Sequence, residues 1–514
     1  MNKNNLKNQS TDKSSTNKKN IVVWLDFDAY SYINFGIINA LSKIDNFNFV
    51  GIVTTKQDMS FFQNQKKIQF KKLIYYPDCY INKSTFDLEK LKEFEKKFEL
   101  NLWSDIFTER SFYKYWIDFH HFTKEEIFVI VEKSISFFVN ILETYKPDMI
   151  LTQYVGENIS NLLLYRIAKK MGIKIIMPVS MFIHNQILVS ENIVGSEIND
   201  GFKKIIKNYE DSSQNYTEDY VKEQNFSQTL KIQASCNPNI SSLSQKINHY
   251  FKRLSNNPEP IYKNVGKTKL NMIKYRIQLY LEIKKRKKFL DSNSIKNIED
   301  NNFLLFPMQS EPEAKILTLS PYYSNQITLI ENIAKSIPIN MILYVKEHPI
   351  QKTKLWRSVN DYKRIISIPN VKLVHPSVYS QELISKSKGV ILISGGTGFE
   401  ALFHKKPIIL FSDEIYEELS MVTKVTTFDK LHEDINNAIK NYKFNQKELN
   451  ALMEIINEKS ISIPYYSIMK DGVTLSSIHR REQNFDLTWK HFQMFYKTYE
   501  KYFEVFAKSV YSKF

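Results

Sequence analysis

Short apolar runs alternate with amphipathic stretches twice along this chain, once on each side of a polar middle section. In the first round the apolar runs are IVVWL at 21–25, FNFVGIVTT at 47–55, PDMILTQ at 147–153 and IKIIMPV at 173–179. Continuous apolar runs of this length are typical of strands buried in a parallel sheet, and the stretches between them have helical periodicity. The alternation therefore predicts an α/β fold with parallel strands.

The same rhythm returns from residue 302 onward, with predicted strands at NFLLF, INMILYVKEHP, VKLVHP, GVILIS and IILFS. A chain of 514 residues is too long for one hydrophobic core, so each round is expected to form its own domain. Two such domains that face each other create a cleft, and ligands bind at the carboxyl ends of parallel strands. The sequence thus predicts two α/β domains with parallel sheets facing a central cleft.

Changes of composition set the predicted boundaries. They separate a disordered polar tail, a first α/β domain, a polar insertion with a basic helical linker, a second α/β domain and C-terminal helices that close the structure. The corresponding ranges are 1–20, 21–194, 195–300, 301–460 and 461–514.

Charge and composition restrict the partners without choosing one. A formal net charge of +16 suits nucleic acid, anionic lipid or acidic substrates alike. Residues 267–290 are predicted to form a basic helix ending in KKRKK, which is either a solvated face or a contact for an anionic membrane or acidic acceptor. Cys79 and Cys236 have no metal-ligand spacing. With no signal peptide and no apolar run of about 18 residues, we expect a cytoplasmic protein.

Three polar clusters in the second half each follow a predicted strand directly. QSEPEA follows FLLF, KEHP follows ILYV, and SGGTGFEA follows VILI. The carboxyl ends of parallel strands share one edge of a sheet, where open α/β sheets bind their ligands. The three clusters are therefore predicted to line one pocket.

The glycine-rich cluster indicates phosphate binding, because amides at a helix N-terminus form an anion site and glycines allow close approach. Thr397 is expected to cap the new helix, and Glu400 either accepts hydrogen bonds from ribose hydroxyls or complements the helix dipole. The spacing matches neither a P-loop nor GxGxxG. The residues assigned to nucleotide binding here are Ser394, Gly395, Gly396, Thr397, Gly398 and Glu400.

The KEHP cluster adds a cation and a hydrogen-bond donor to the predicted pocket. His348 is expected to donate to a phosphate oxygen or, when protonated, to offset its charge, while Lys346 acts as a point charge. Pro349 ends the strand. Glu347 alternates to the opposite side and is predicted to be a structural partner. A second His-Pro pair at His375 is predicted to be an ordinary loop.

The QSEPEA cluster supplies Gln309, Glu311 and Glu313, which are predicted to face the base or the sugar of a nucleotide. No histidine or aspartate accompanies these acids at ligand spacing, so no metal site is predicted.

Carboxylates also end two strands of the first half, where a general base for an acceptor hydroxyl would be needed. Asp26 and Asp28 end the first strand, and Glu157 follows TQYVG. We favour Asp28 and Glu157 as the catalytic pair, although Glu157 equally suits a helix cap. His184 is a further predicted contact.

The motifs FPMQSEPEA, VKEHP and SGGTGFEALFHKKPIIL, in this order and spacing over residues 300–415, resemble the capsule polysaccharide biosynthesis glycosyltransferases, a group that includes Kdo transferases. The resemblance implies the GT-B fold, two Rossmann-like domains with the active site between them. Gln309, Pro312 and Glu313 resemble the family's Gln-x-x-Pro-Glu element, and Glu311 is an extra acid. Gly395 is an additional glycine relative to the commoner Ser-Gly-Thr form.

The resemblance further implies metal-independent transfer of a sugar from a nucleotide-sugar donor, with no cofactor. A CMP-activated acidic sugar, such as Kdo or a sialic-acid-like sugar, is the favoured donor. The implied acceptor is a growing surface polysaccharide or lipid-linked glycan, on the inner face of the cytoplasmic membrane. Two alternatives stay open: a GT-B sugar-nucleotide epimerase and a nucleic-acid-binding protein. The latter lacks a recognised binding module, so no nucleic-acid partner is expected.

Overall fold

The computed structural model describes residues 18–26, 28–113, 119–156, 158–183, 185–209, 216–217, 262–298, 302–353, 357–482 and 484–514. Within these residues the chain forms two sheets, each flanked by helices. This arrangement confirms the predicted α/β class with two Rossmann-like units.

Seven described strands form the first sheet in the order β13-β6-β5-β4-β1-β2-β3. They are β1 Asn20–Leu25, β2 Asn48–Val53, β3 Phe70–Tyr75, β4 Met149–Leu151, β5 Lys174–Ser180, β6 Gln186–Ser190 and β13 Ser460–Ser462. Strands β1 to β5 are parallel, whereas β6 runs antiparallel to β5 and to β13. This sheet therefore has an antiparallel edge that the apolar runs alone did not predict.

Six described strands form the second sheet in the order β12-β11-β10-β7-β8-β9, and all are parallel. They are β7 Phe303–Pro307, β8 Ile342–Lys346, β9 Val371–Val374, β10 Gly389–Leu392, β11 Ile408–Leu410 and β12 Val422–Lys424. Their buried aliphatic and aromatic side chains explain the continuous apolar runs in the sequence.

Helices connect the strands of both sheets, and the basic helix predicted over 267–290 is present. Those that accompany the first sheet are α1 Ala29–Leu41, α2 Lys56–Asn64, α3 Leu88–Phe98, α4 Leu102–Thr108, α5 Lys124–Tyr145, α6 Ile159–Lys170 and α7 Ser196–Ile205. The basic helix is α8 Lys269–Asn293. Those of the second unit are α9 Ala314–Leu319, α10 Gln326–Ser336, α11 Val359–Ile366, α12 Ser380–Lys386, α13 Gly396–Phe403, α14 Leu431–Lys440 and α15 Gln446–Lys459. The chain ends with α16 Tyr465–Glu482 and α17 Phe485–Tyr511.

The two C-terminal helices pack on the first sheet unit rather than on the second. Both lie against α1, and their apolar side chains share one core with β1. At Gly36 a Cβ atom would lie 2.7 Å from the Phe503 ring, so glycine allows α1 and α17 to touch. The chain therefore returns to its first domain to complete that domain's core.

Phe503→Ala should destabilise the first domain by about 3–5 kcal/mol, because the ring is buried and its removal leaves a cavity. Val505→Ala on the same helix is the control, since Val505 is 39% exposed. Thermal unfolding of both variants measures the difference. Equal melting temperatures would show that α17 does not contribute to the core.

Candidate functional site

The three polar clusters that follow β7, β8 and β10 lie side by side. Strand β7 is central and pairs with β8 on one side and β10 on the other. All three strands are parallel, so their carboxyl ends meet at one edge. The predicted grouping of the clusters at one sheet edge is confirmed.

A sharp turn joins β10 to α13. Gly395 has φ +104° and ψ −176°, a conformation that a residue with a side chain rarely adopts. Its N–H donates to Glu414 Oε1 at 2.6 Å, and Tyr416 Oη donates to its carbonyl at 2.7 Å. A Cβ at Gly398 would lie 2.4 Å from Tyr416 Oη, so this glycine permits the tyrosine to pack against the turn. The first amides of α13 thus begin directly at the sheet edge.

Thr397 does not cap α13, which corrects the prediction. The capping position is Gly395, and no side chain makes a capping hydrogen bond there. Thr397 comes two residues after the cap, inside the first turn, where the helix has already begun.

Gln309 links the loop after β7 to the glycine turn. Its side-chain amide donates to the carbonyl of Ser394, and its own N–H donates to Gln326 Oε1 at 2.8 Å. Ser394 is 1% exposed. Gln309 and Ser394 are therefore in contact as the shared edge requires, and Glu313 lies at the N-cap position of α9.

A buried guanidinium fixes the acids of the two neighbouring loops. Arg357, which is 2% exposed, donates to Glu347 and forms an ion pair with Glu311 at 3.2 Å. Glu347 also accepts from Tyr362 Oη at 2.6 Å and from the His348 N–H at 2.6 Å. The predicted structural role of Glu347 is confirmed. Burial raises the pKa of Glu311, while Arg357 opposes that rise. Glu311 is thus held by the protein's own groups.

His348 has a defined orientation at the end of β8. Its Nδ1 accepts the Ile350 N–H at 3.2 Å, so the neutral ring carries its proton on Nε2. Strand β8 already ends at Lys346, so Pro349 does not end it as predicted; the proline begins a short 3₁₀ turn, Pro349–Thr353. The side chain is half-buried. His348 therefore presents an N–H donor.

Lys346, which is buried, and Glu400, which is partly buried, influence each other's ionisation. Lys346 is 3% exposed, and burial lowers the pKa of its ammonium to about 8, against the opposing charges of Glu347 and Glu400. Among the described residues, no carboxylate lies within ion-pair distance of its Nζ. Burial raises the pKa of Glu400 to about 7, with Lys346 opposing. Both ionised forms are therefore disfavoured in this pocket.

The first domain separates the two aspartates after β1. Asp26 is 2% exposed and accepts hydrogen bonds from Thr54, Gln153 and Asn158, at 3.0, 2.8 and 3.1 Å. It is therefore a structural acceptor. Asp28 is half-buried, has φ 66° and ψ −143°, and pairs with Arg480 of α16 at 2.8 Å. Such strain in a residue other than glycine is frequent at functional sites.

The buried His479 holds α16 close to Asp28 through polar contacts with the first domain. The His479 ring contacts Tyr32 Oη and lies 3.7 Å from Asp58 Oδ1. Burial raises the pKa of Asp58 to about 7 and lowers that of His479 to about 4. The predicted catalytic carboxylate Glu157 and the predicted contact His184 lie outside the described residues.

Side chains that the sequence did not single out bring the two units together. Lys315 of α9 pairs with Glu414 Oε1 at 2.6 Å, and its Nζ lies 5.0 Å from the centre of the Phe182 ring. A Cβ at Gly156 would lie 2.3 Å from Thr318 Oγ1. Glu414 follows strand β11, so the strand-end rule used for the other three clusters could have found it. Lys315 and Phe182 carry no comparable local signal.

Fold and site together define an α/β protein with two Rossmann-like sheet units and a polar site at the carboxyl edge of the second sheet. Residues 203–452 match the family model described as "Capsule polysaccharide biosynthesis protein". The match spans just under half of the chain and confirms the resemblance drawn from the three motifs. No curated protein sequence matches the chain.

Several solved structures are similar to the chain at low sequence identity. The KpsC β-Kdo 2,7-transferase of Thermosulfurimonas dismutans has 14% identity and a TM-score of 0.32, covering 75% of this chain and 96% of its own. The UDP-GlcNAc 2-epimerase of Methanocaldococcus jannaschii has 16% identity and a TM-score of 0.24, covering 85% of this chain and 99% of its own.

Glu400→Gln should raise the melting temperature at pH 8 and leave it nearly unchanged at about pH 4, below the unfolded pKa. The pKa of Glu400 is about 7 in the folded protein and about 4.5 when unfolded, so folding favours the protonated acid. Stability from this group is full below about pH 4.5 and is lost as the pH rises to about 7. The neutral amide avoids that loss.

Glu331→Gln serves as the control, because Glu331 pairs with Arg364 on the surface, away from the polar loops. Differential scanning calorimetry at both pH values gives the comparison. A melting temperature of Glu400→Gln below that of the wild type at pH 8 would contradict the assigned burial of this charge.

Proposed function

We propose that this protein is a metal-independent glycosyltransferase that moves a sugar from a nucleotide-sugar donor to a growing surface polysaccharide or lipid-linked glycan. The observation that carries the proposal is the convergence of His348, Lys346 and the glycine turn at one sheet edge. The family match over residues 203–452 supports the link to capsule polysaccharide synthesis. A CMP-activated acidic sugar is the favoured donor.

On the donor side, breaking the sugar–phosphate bond leaves negative charge on the phosphate. The Nε2–H of His348 is oriented as a donor, and the first amides of α13 are those that a helix leaves without intrahelical partners. The buried ammonium of Lys346 adds a cation at the same edge. These groups would stabilise the leaving phosphate.

On the acceptor side, Asp28 is the proposed general base. It lies at the carboxyl end of β1, and the ion pair with Arg480 orients its carboxylate. Asp26 is less suited, because its carboxylate already accepts three hydrogen bonds from buried neighbours. Glu157 stays a second predicted base outside the described residues.

His348→Ala should weaken nucleotide binding by about tenfold to hundredfold, the loss expected for one hydrogen bond to a charged group. Calorimetry with CMP, UDP and GDP measures this and identifies the preferred base. His375→Ala is the matched control, since that histidine of the second His-Pro pair contacts Asp291 and Ser377 instead.

Unchanged affinity of His348→Ala for all three nucleotides would refute the assignment of the pocket. Incubation with the matching nucleotide sugar, without acceptor, separates transferase from epimerase. Epimerised donor in that reaction would replace the transferase proposal. Retention of DNA at about 0.15 M salt would instead revive the nucleic-acid alternative.

We also propose that α8 contacts the anionic inner face of the cytoplasmic membrane. Its exposed apolar residues are spaced to share one face: Leu270, Ile277, Tyr280 and Leu281 are 71%, 57%, 58% and 58% exposed. The helix holds eight basic and two acidic residues. Arg286 and Leu290 are buried and anchor it, with Arg286 donating to the Arg357 carbonyl at 3.2 Å.

Within the described residues, no helix is long and apolar enough to cross a bilayer. Membrane contact through α8 would therefore be peripheral, with apolar side chains entering the headgroup region and lysines facing anionic lipid.

The double change Ile277→Glu and Leu281→Glu should reduce binding to vesicles with 30% anionic lipid by about tenfold or more, because it removes apolar anchors and adds like charge. Ile339→Glu is the control at a fully exposed site elsewhere. Cosedimentation of the full chain gives the affinities. Equal binding by all variants would exclude α8 as the contact.

A further inference from the structure

Gln381 connects Glu400 of α13 with His404, the C-cap residue of that helix, one helical turn later. Its Nε2 donates to Glu400 Oε2 at 2.8 Å, and its Oε1 is bonded to Nε2 of His404. Glu400 and His404 are four residues apart, so both project from the same face of α13 towards α12. The amide is thus used at both ends.

This chain of hydrogen bonds has a fixed direction. A carboxylate accepts only, so the Gln381 NH₂ group must face Glu400, and its oxygen must accept the proton that His404 carries on Nε2. His404 is 9% exposed, which limits the freedom of the whole group. Gln381 and His404, which lie outside the three polar clusters, therefore fix the orientation of the Glu400 carboxylate.

Among the described residues, Lys346 of β8 is the charged group whose field acts on Glu400. One oxygen of Glu400 is engaged by Gln381, yet a carboxylate offers about four lone-pair positions. Two neighbouring hydroxyl groups are the donors that match a carboxylate held in this way, as with ribose in other α/β nucleotide sites.

We propose that Gln381, supported by His404, is a positioning residue that holds Glu400 to accept hydrogen bonds from the ribose hydroxyls of the donor nucleotide. The site would then select ribonucleotides over 2′-deoxyribonucleotides. This inference rests on the proposed nucleotide-binding function for its ligand, but the positioning of Glu400 can be measured without any ligand.

The ligand-free test follows the Glu400 carboxyl carbon by NMR in protein labelled with ¹³C at the glutamate side chain. Glu400→Gln identifies the signal. Gln381→Met keeps the side-chain volume but removes the donor, so the titration midpoint of Glu400 should rise by about one unit. His404→Gln retains a donor and should cause a smaller rise. An unchanged midpoint in Gln381→Met overturns the positioning role.

The ligand test compares each ribonucleotide with its 2′-deoxy form, using CMP, UDP and GDP and their deoxy counterparts in calorimetry. The wild type should prefer the ribose form by about tenfold or more, and Gln381→Met should bring this ratio close to one. Gln278→Met, an exposed change on α8, should keep the wild-type ratio. A ratio unchanged in Gln381→Met overturns the ribose assignment.

The two failures are distinguishable. If the wild type binds none of the nucleotides, the proposed function fails together with the ribose assignment, while the NMR titration alone decides whether Gln381 positions Glu400. If nucleotides bind and the midpoint and the ratio both stay unchanged, the proposed function survives and the role of Gln381 does not.

Discussion

The candidate site depends on one buried guanidinium. Arg357 joins the loops after β7 and β8 by contacting Glu311, Glu347 and the Gln309 carbonyl, the last at 2.6 Å. Removing one partner of such a group leaves uncompensated buried charge, at a typical cost of about 3–5 kcal/mol. Because Glu347 also accepts the His348 N–H, the position of the histidine follows from that of the arginine. The predicted QSEPEA and KEHP clusters are thus joined by contacts with the same residue, Arg357.

Lys346, whose ionised form is disfavoured by burial, lies next to the Arg357–Glu347 ion pair in the sequence. Glu347 is neutralised by Arg357 and hydrogen-bonded by Tyr362, whereas the adjacent Lys346 keeps a buried ammonium whose pKa is lowered. An anion at this edge would raise the pKa of Lys346 again, because a nearby negative charge favours the charged amine. Binding of a phosphate would therefore take up a proton near pH 8. Among the described residues, Glu347 thus has an ion-pair partner, whereas Lys346, the cation proposed to bind the ligand, has none.

Local signals in the sequence predicted nine of the thirteen described strands and the three polar clusters, because buried runs and strand ends are visible in consecutive residues. Strands β3, β6, β12 and β13 were not predicted. The role of Gly395 could be predicted from its residue type, because the turn needs a positive φ, here +104°, which glycine tolerates. Arg357, Lys315 and Gln381 could not, because each acts on a partner distant in the chain. The cap expected of Thr397 was wrong for a related reason, since the first helical residue depends on how Gly395 turns. Long-range pairing, rather than residue type, decides these roles.

Long-range pairing also decides the environment of Asp28, the proposed base on the acceptor side. Strand β1 delivers Asp28, but its ion-pair partner Arg480 comes from α16, after the chain has passed through the whole second unit. Helix α16 can place Arg480 because the neighbouring His479 is buried against Tyr32 and Asp58, and because α16 packs on α1. Residues 21–194 therefore do not make the acceptor side by themselves. A catalytic carboxylate at Asp28 would therefore be oriented by Arg480 only after the C-terminal helices have docked on α1.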